Sequence, residues 1–490
     1  MDKPEDMTPA DRFSRFETGD HIVFTRTFTA ADFAAFSELS GDSNAYHHDR
    51  EYAKAHGDTE TIVPLHVTLA PLSAIAGMNF PGEPSIYLGH EARALHPVRY
   101  GEEVTYSARI AAMNESHAVL TLEVLCMVGD KPVAEANMRV QARYRGWQAK
   151  SQHPIRKMFD RTALVTGASG EIGSAIALEL AREGWSLLLQ DRGPSDRREK
   201  LAAALDESGA EVRFVAADLG EEDGITRLAE AVGEAQDLAL IVHCASPPVM
   251  SPVEAHVDVA YNALAAAYRA ALPAMLRRQD GKAILIGSSA TETGLDGWEA
   301  YAGAKAMATQ YLRMANQRHA RFGVTGHTLA PGMVGTEFSQ SFRGEDDDVL
   351  LPYEVAREVV SLAEGPRGVP KDVILTAQNR REGAYGFAGQ REREDTPMSR
   401  DAAASHAASN AEPATRDVAG LGQLVRRQLG LAPSIPLEGA GLGTTPGWDS
   451  LAHIELILAV EQAYGLHLTS KQIDATQTFG ELQQLVAGGE

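Results

Sequence analysis

Thr162 to Thr166 is a short apolar run that turns through Gly167-Ala168-Ser169-Gly170-Glu171-Ile172-Gly173 directly into a helical pattern. A strand that passes through glycines into a helix leads to a crossover, so the next strand pairs parallel to the first. Ser186 to Gln190, Leu238 to His243, Ala283 to Ile286 and Val324 to Leu329 repeat the strand pattern, and helices are expected from Ile172 and from Arg197. The alternation predicts an α/β, Rossmann-like, doubly wound parallel sheet. Its glycine turn lets backbone approach a pyrophosphate at a helix N-terminus.

Composition bounds what surrounds this sheet. The 490 residues predict two to four domains, and 44% hydrophobic with 23% charged residues predicts soluble, globular ones. Polar stretches at Gly146–Asp160 and Gly386–Thr415 divide the chain. The expected units are 1–148, a linker at 149–159, 160–386, a flexible linker at 387–415, and 416–490. No apolar run is long enough for membrane insertion, and Met1 to Phe16 lacks a signal-peptide pattern. Cys126 and Cys244 stand far apart without ligand patterns, so no disulfide framework or metal site is expected and a cytoplasmic setting is the default. A net charge of −22 argues against nucleic acid and anionic membranes as partners.

In 1–148 an apolar helical run, Leu65 to Gly77, precedes strands around Val104–Ile110 and Val119–Val128, which predicts an α+β layer fold. The polar word Asp42-Ser43-Asn44-Ala45-Tyr46-His47 sets a carboxylate and an imidazole five apart. Such a pair can add water to an activated double bond or remove it. With Phe80-Pro81-Gly82, Ile86-Tyr87 and Pro97-Val98-x-x-Gly101, residues 15–145 resemble the hot-dog fold of R-specific enoyl-thioester hydratases, the MaoC-like dehydratases. The resemblance implies that Asp42 and His47 are catalytic and Asn44 supports them. The family's central helix usually opens with His-Gly. Here the words are Pro64-Leu65, whose N–H can still polarise a thioester carbonyl beside a narrower acyl pocket.

In 160–386, Tyr301 and Lys305 lie four apart on one helical face, with Ser288 thirteen residues before Tyr301. An ammonium beside a phenol favours the phenolate, which suits a Tyr acting as general acid to a carbonyl oxygen; Ser288 can bond the same oxygen. The unit resembles the short-chain dehydrogenase/reductase family, near its 3-oxoacyl-carrier-protein reductases. That resemblance implies catalytic Ser288, Tyr301 and Lys305, and an NAD(P)(H) site. Gly167, Ser169, Gly170, Ile172, Gly173, Asp191, Arg192, Asp218, Leu219, Ala245, Pro331, Gly332, Val334 and Thr336 would form it. Asp191 would favour NAD and Arg192 NADP, so both stay open. Departures from the pattern are Glu171 at a usual glycine, His243-Cys244 at an Asn-Asn, Ala260 at the relay Asn with Asn262 nearby, and no glycine pair within Val373–Gly389.

In 416–490, Asp449-Ser450-Leu451 opens an amphipathic run through Ile454 and Leu458. A phosphate ester on Ser450 would face a helix N-terminus. Gly447-Trp448-Asp449-Ser450-Leu451, with Phe479-Gly480-Glu481-Leu482 downstream, resembles an acyl carrier protein, a small four-helix bundle carrying 4'-phosphopantetheine on the serine. The three resemblances imply a bifunctional enzyme. It reduces 3-oxoacyl thioesters on Ser450 to 3-hydroxyacyl and dehydrates them to 2-enoyl, or hydrates in reverse. A carrier-tethered hydratase with a non-catalytic reductase-like scaffold, feeding an acyltransferase, is the alternative. Expected partners are a phosphopantetheinyl transferase, a ketosynthase or acyltransferase in trans, the acyl thioester, and a second copy in a homo-oligomer.

Overall fold

The computed structural model describes residues 16–142, 151–158, 160–293, 296–342, 349–377 and parts of 418–488. The linker expected at 387–415 and the serine expected to carry phosphopantetheine, Ser450, lie outside the described residues.

Five strands form an antiparallel sheet: β1 (His21–Thr27), β2 (Ser85–Ala94), β3 (Glu103–Asn114), β4 (Val119–Val128) and β5 (Lys131–Ala142), in the order β1-β3-β4-β5-β2. One face closes on the helical run that follows Pro64. Leu72, Ile75 and Ala76 from that run share a core with Ile22, Tyr106, Leu120, Leu122 and Val124, and Tyr106 Oη donates to Thr68 O at 2.6 Å. The single helix expected over Leu65–Gly77 is two pieces, Leu65–Leu69 and Pro71–Met78. Pro71 has no N–H to continue the ladder.

The apolar pattern on both faces of β4 has a tertiary cause. Leu120, Leu122 and Val124 face the helix, whereas Leu125 and Met127 join the core of the second unit with Tyr268, Leu272 and Met275. A seam of polar contacts borders this packing. Gln279, in the left-handed region at φ 52, donates from Nε2 to Ser107 O (3.0 Å), Ser107 Oγ (3.1 Å) and Glu123 O (3.1 Å). Ser107 Oγ in turn donates to Arg277 O at 2.6 Å.

The connection through 151–158 is strapped to the first sheet. Buried Asn79 Oδ1 accepts from Ser151 Oγ, Gln152 N and His153 N at 2.9–3.1 Å. Arg156 bridges His21, and Lys157 pairs with buried Asp20 at 2.7 Å.

The second sheet has seven parallel strands: β6 (Thr162–Thr166), β7 (Ser186–Asp191), β8 (Val212–Ala216), β9 (Leu238–His243), β10 (Gly281–Ile286), β11 (Val324–Pro331) and β12 (Asp372–Leu375). Their order is β12-β11-β10-β9-β6-β7-β8, so the winding reverses between β6 and β9 and opens a crevice at their C-terminal ends. Buried Val, Leu and Ile fill both faces of its central strands, as expected for a sheet sandwiched by helices. No described helix is long and apolar enough to cross a membrane.

In the last segment, helices Val418–Leu429 and Phe479–Gly488 share a small core with Trp448, Leu456, Ile457 and Val460. Thr478 and Glu481 form a reciprocal cap at the second helix, with Thr478 N donating to Glu481 Oε2 at 2.8 Å and Glu481 N to Thr478 Oγ1 at 3.3 Å.

Gln279→Ala removes the amide's two N–H donors, which reach Ser107 and Glu123 across the seam, and leaves alanine in a left-handed conformation. It should cost about 2–3 kcal/mol of stability, read as a lowered denaturation midpoint. An unchanged midpoint would show that apolar packing alone holds the units together.

Candidate active site

The glycine turn after β6 is built by close approach. A Cβ on Gly173 would stand 2.2 Å from Gly167 O, and one on Gly167, at φ +66, would stand 2.9 Å from Ala245 Cα. Helix Glu171–Arg182 starts here with Gly170 as its cap, leaving N–H groups directed into the crevice. Ser169 and Ile172 are half-buried in the same turn.

Thr166 Oγ1 ties the turn to β9. It accepts from Cys244 N (3.1 Å) and Ala245 N (3.2 Å) and lies 3.0 Å from His243 Nδ1. With both lone pairs used, the hydroxyl proton goes to Nδ1, and His243 Nε2–H donates to Val259 O at 2.8 Å. His243 is therefore held neutral. Burial, then the nearby Lys305 charge, pushes its pKa down to about 3. Its acceptor lies in a π-helical turn, Asp258–Asn262, which holds buried Ala260. Asn262 does not stand in for a relay residue, because its side chain donates to Asp258 Oδ1 at 2.7 Å.

Helix Glu299–His319 carries Tyr301 and Lys305, both buried. Ser288, just past β10, stands beside the Tyr301 side chain, close enough to oppose the rise of its pKa, so these three expected residues gather at one end of the sheet. The expected lowering of the phenol's pKa is not what this geometry produces. Burial raises it, with Ser288 opposing. Lys305 Nζ instead donates to Ile286 O at 2.8 Å, and burial lowers its pKa to about 8.

Sequence reasoning missed the aromatic wall. Trp298 meets Tyr301 edge-on at 5.4 Å, His256 does so at 5.8 Å, and Phe338 lies 6.3 Å away. Phe342 packs on Trp298 at 5.0 Å. Trp298 three before Tyr301, and Phe338 four before Phe342, were the available signals.

Asp191 ends β7 with its carboxylate buried. Oδ1 accepts from Gly193 N at 2.9 Å and pairs with Arg198 at 3.4 Å, while Oδ2 is buried without a partner. Arg192 is exposed. Leu219 is buried beside exposed Asp218, whose Oδ1 accepts from Gly220 N. Pro331 ends β11, half-buried Gly332 follows it, and Val334 and Thr336 are buried beyond. Glu171 reaches across to this segment, its Oε2 accepting from Glu337 N at 2.7 Å.

A family model for short chain dehydrogenase matches residues 161–347. Oxidoreductase UcpA of Salmonella typhimurium is 30% identical over 216 residues, 41% of this chain and 81% of that protein. The chain belongs to the short-chain dehydrogenase family. The 3-oxoacyl-[acyl-carrier-protein] reductase FabG of Staphylococcus aureus is 26% identical over 200 residues, 39% of this chain and 81% of that one. A solved 3-oxoacyl (acyl-carrier-protein) reductase from Agrobacterium tumefaciens, with NADP bound, is 26% identical with TM-score 0.41, covering 44% of this chain and 93% of that one.

A second constellation lies on the first unit. Gly41, at φ 77, ends helix Ala30–Ser40 and opens the polar loop. Asp42 Oδ1 accepts from Asn44 N at 3.0 Å, and Asn44 Oδ1 accepts from Tyr46 N at 3.1 Å, capping the turn that carries His47. His47 Nδ1 lies 2.8 Å from Ile62 O, so it carries the proton and leaves Nε2 as the free base, 3.9 Å from Asp42 Oδ2.

His243→Asn tests the Thr166 network through acid stability. Unfolded His243 takes up a proton below about pH 6.5, whereas the folded residue does so only near 3, so stability drains as pH falls through this window. The variant should lose stability less steeply between pH 6.5 and 4, by up to one proton in the slope of denaturation free energy. Equal slopes would mean that His243 titrates alike in both states. Separately, Glu171→Gln, which removes a charge near the turn and keeps an acceptor, should tighten dinucleotide binding about fivefold in a fluorescence titration.

Proposed function

We propose that this chain reduces 3-oxoacyl thioesters to 3-hydroxyacyl thioesters and dehydrates them to 2-enoyl thioesters, or hydrates in reverse, on a phosphopantetheine arm at Ser450. The observation that carries the reductase half is the buried Tyr301 phenol, with Ser288 beside it, beneath an aromatic wall suited to an acyl chain. Tyr301 delivers its proton to the carbonyl oxygen while Ser288 holds that oxygen. NAD(P)H, when bound, supplies the hydride.

The residues fit that cofactor. Only glycine fits at 167 and 173, which leaves the turn open to a pyrophosphate, and Asp191 Oδ2 is an unused buried acceptor at the ribose position. Asp191 favours a free 2'-hydroxyl, so NADH should bind more tightly than NADPH. Asp191→Ser should narrow that ratio about tenfold or more, measured by titration with both nucleotides.

For the dehydratase half, the strand order around an enclosed helix and the Asp42–His47 span support the hot-dog reading. A span of 3.9 Å lets one oxygen touch both groups, with His47 Nε2 as base. The small core beneath Trp448 and the capped final helix support a carrier segment.

Intact-mass analysis of protein loaded with a short 3-oxoacyl-phosphopantetheine tests the whole sequence of steps. NADH should add two hydrogens, and one water should then leave. Tyr301→Phe should slow the first step, and Asp42→Asn the second, by about 10²–10⁴-fold each. No hydrogen gain with either nucleotide, alongside Asp42-dependent hydration, would instead favour a carrier-tethered hydratase whose reductase-like unit is a scaffold.

A further inference from the structure

At the opposite edge of the parallel sheet from the crevice lies a second cavity, about 150 Å³ in volume. It is lined at the starts of β9 and β10 by Leu240 and Lys282, and by Arg161 just ahead of β6. The first unit contributes Arg109 from β3, and Arg278 and Arg367 complete a ring of five cations. Asp280 and Glu364 are the acids in its wall.

Not all of this charge is neutralised. Arg161 pairs with Glu364 at 2.9 Å, and Arg367 with Glu123 at 2.8 Å. Lys282 Nζ donates to the carbonyls of Ala363 and Gly365. Arg109 is only 7% exposed, yet among the described residues its one ion pair is the same Glu123 at 3.8 Å, beyond hydrogen-bonding distance. Arg278 is 4% exposed. Its two terminal nitrogens donate to Asp160 O and Met158 O, while Nε is buried with no partner. Burial lowers the pKa of Arg109, Arg278 and Lys282, and Arg367 adds to the effect at Arg109. A buried cation without hydrogen-bonded partners is costly, and both Arg109 and the Nε of Arg278 are in that state within a ring of five cations, in a chain whose net charge is −22. Guanidinium groups around a small volume match the oxygens of a tetrahedral dianion.

We propose that this cavity binds a phosphate-sized oxyanion that joins the antiparallel unit to the parallel sheet. The site is separate from the dinucleotide crevice, because it lies at the N-terminal rather than the C-terminal ends of the strands. Its occupant would touch Arg109 of one unit and Arg278 of the other, so binding would stabilise their junction.

The test uses the full chain saturated with NADH, so that the glycine turn is already filled. Inorganic phosphate is titrated calorimetrically against a chloride background of constant ionic strength. Saturable binding of one phosphate, with a raised unfolding temperature, is expected. Arg109→Met should weaken phosphate binding about tenfold or more while NADH affinity stays unchanged. A parallel titration with glycerol 3-phosphate separates the sources. Tighter inorganic phosphate assigns a free ion, and tighter ester assigns the head of a phosphomonoester. Because Arg109→Met can fail to fold, crystals of the unaltered protein soaked in selenate give an independent reading. An anomalous peak among Arg109, Arg161 and Arg278 supports the site. No saturable binding in the presence of NADH, or a peak only at the Gly167–Gly173 turn, overturns it.

Discussion

The contact on which the site depends is the one between the start of helix Glu171–Arg182 and the end of β6. Gly173 lies against Gly167 O so closely that any side chain would push the helix off the strand. That approach sets the N-terminal N–H groups of the helix over the crevice. It also brings Gly167 against Ala245, placing the end of β9 where Thr166 Oγ1 can gather His243, Cys244 and Ala245. From His243 the network continues to Val259 O in the π-helical turn that packs beside the Tyr301 helix. The turn, the winding reversal and the Tyr301 helix thus form one mechanically continuous block.

The family's departures read differently inside this block. A histidine in place of asparagine is accommodated by using both ring nitrogens at full burial, which requires it to stay uncharged. Glu171, at the position of a glycine, turns its carboxylate to the Glu337 N–H instead of into the turn. It thereby links the glycine turn to the segment after Thr336, which also carries Phe338 and Phe342 of the aromatic wall. A substitution that looks damaging beside a pyrophosphate is therefore also a tie between the two sides of the crevice.

The antiparallel unit is built into the parallel-sheet unit through the outer face of its sheet. Leu125 and Met127 enter the core of the parallel-sheet unit, Gln279 answers Ser107 and Glu123, and the 151–158 strap holds the connection down. The two units thus have a fixed mutual geometry.

The sequence alone determined the parallel sheet, its glycine turn and the spacing of Ser288, Tyr301 and Lys305, because strand and helix periods and i,i+4 geometry are local. The Asp42–His47 pair was legible for the same reason, the loop being closed by hydrogen bonds among Asp42, Asn44 and Tyr46. Only the tertiary structure decided the environments of these groups. It sent the Lys305 ammonium to Ile286 O, raised the Tyr301 phenol by burial, walled it with residues up to forty-five positions away in the chain, such as His256, and placed Arg109 beside Arg278. Burial and the meeting of distant side chains follow from how sheets and helices stack, and no local spacing in the chain encodes them.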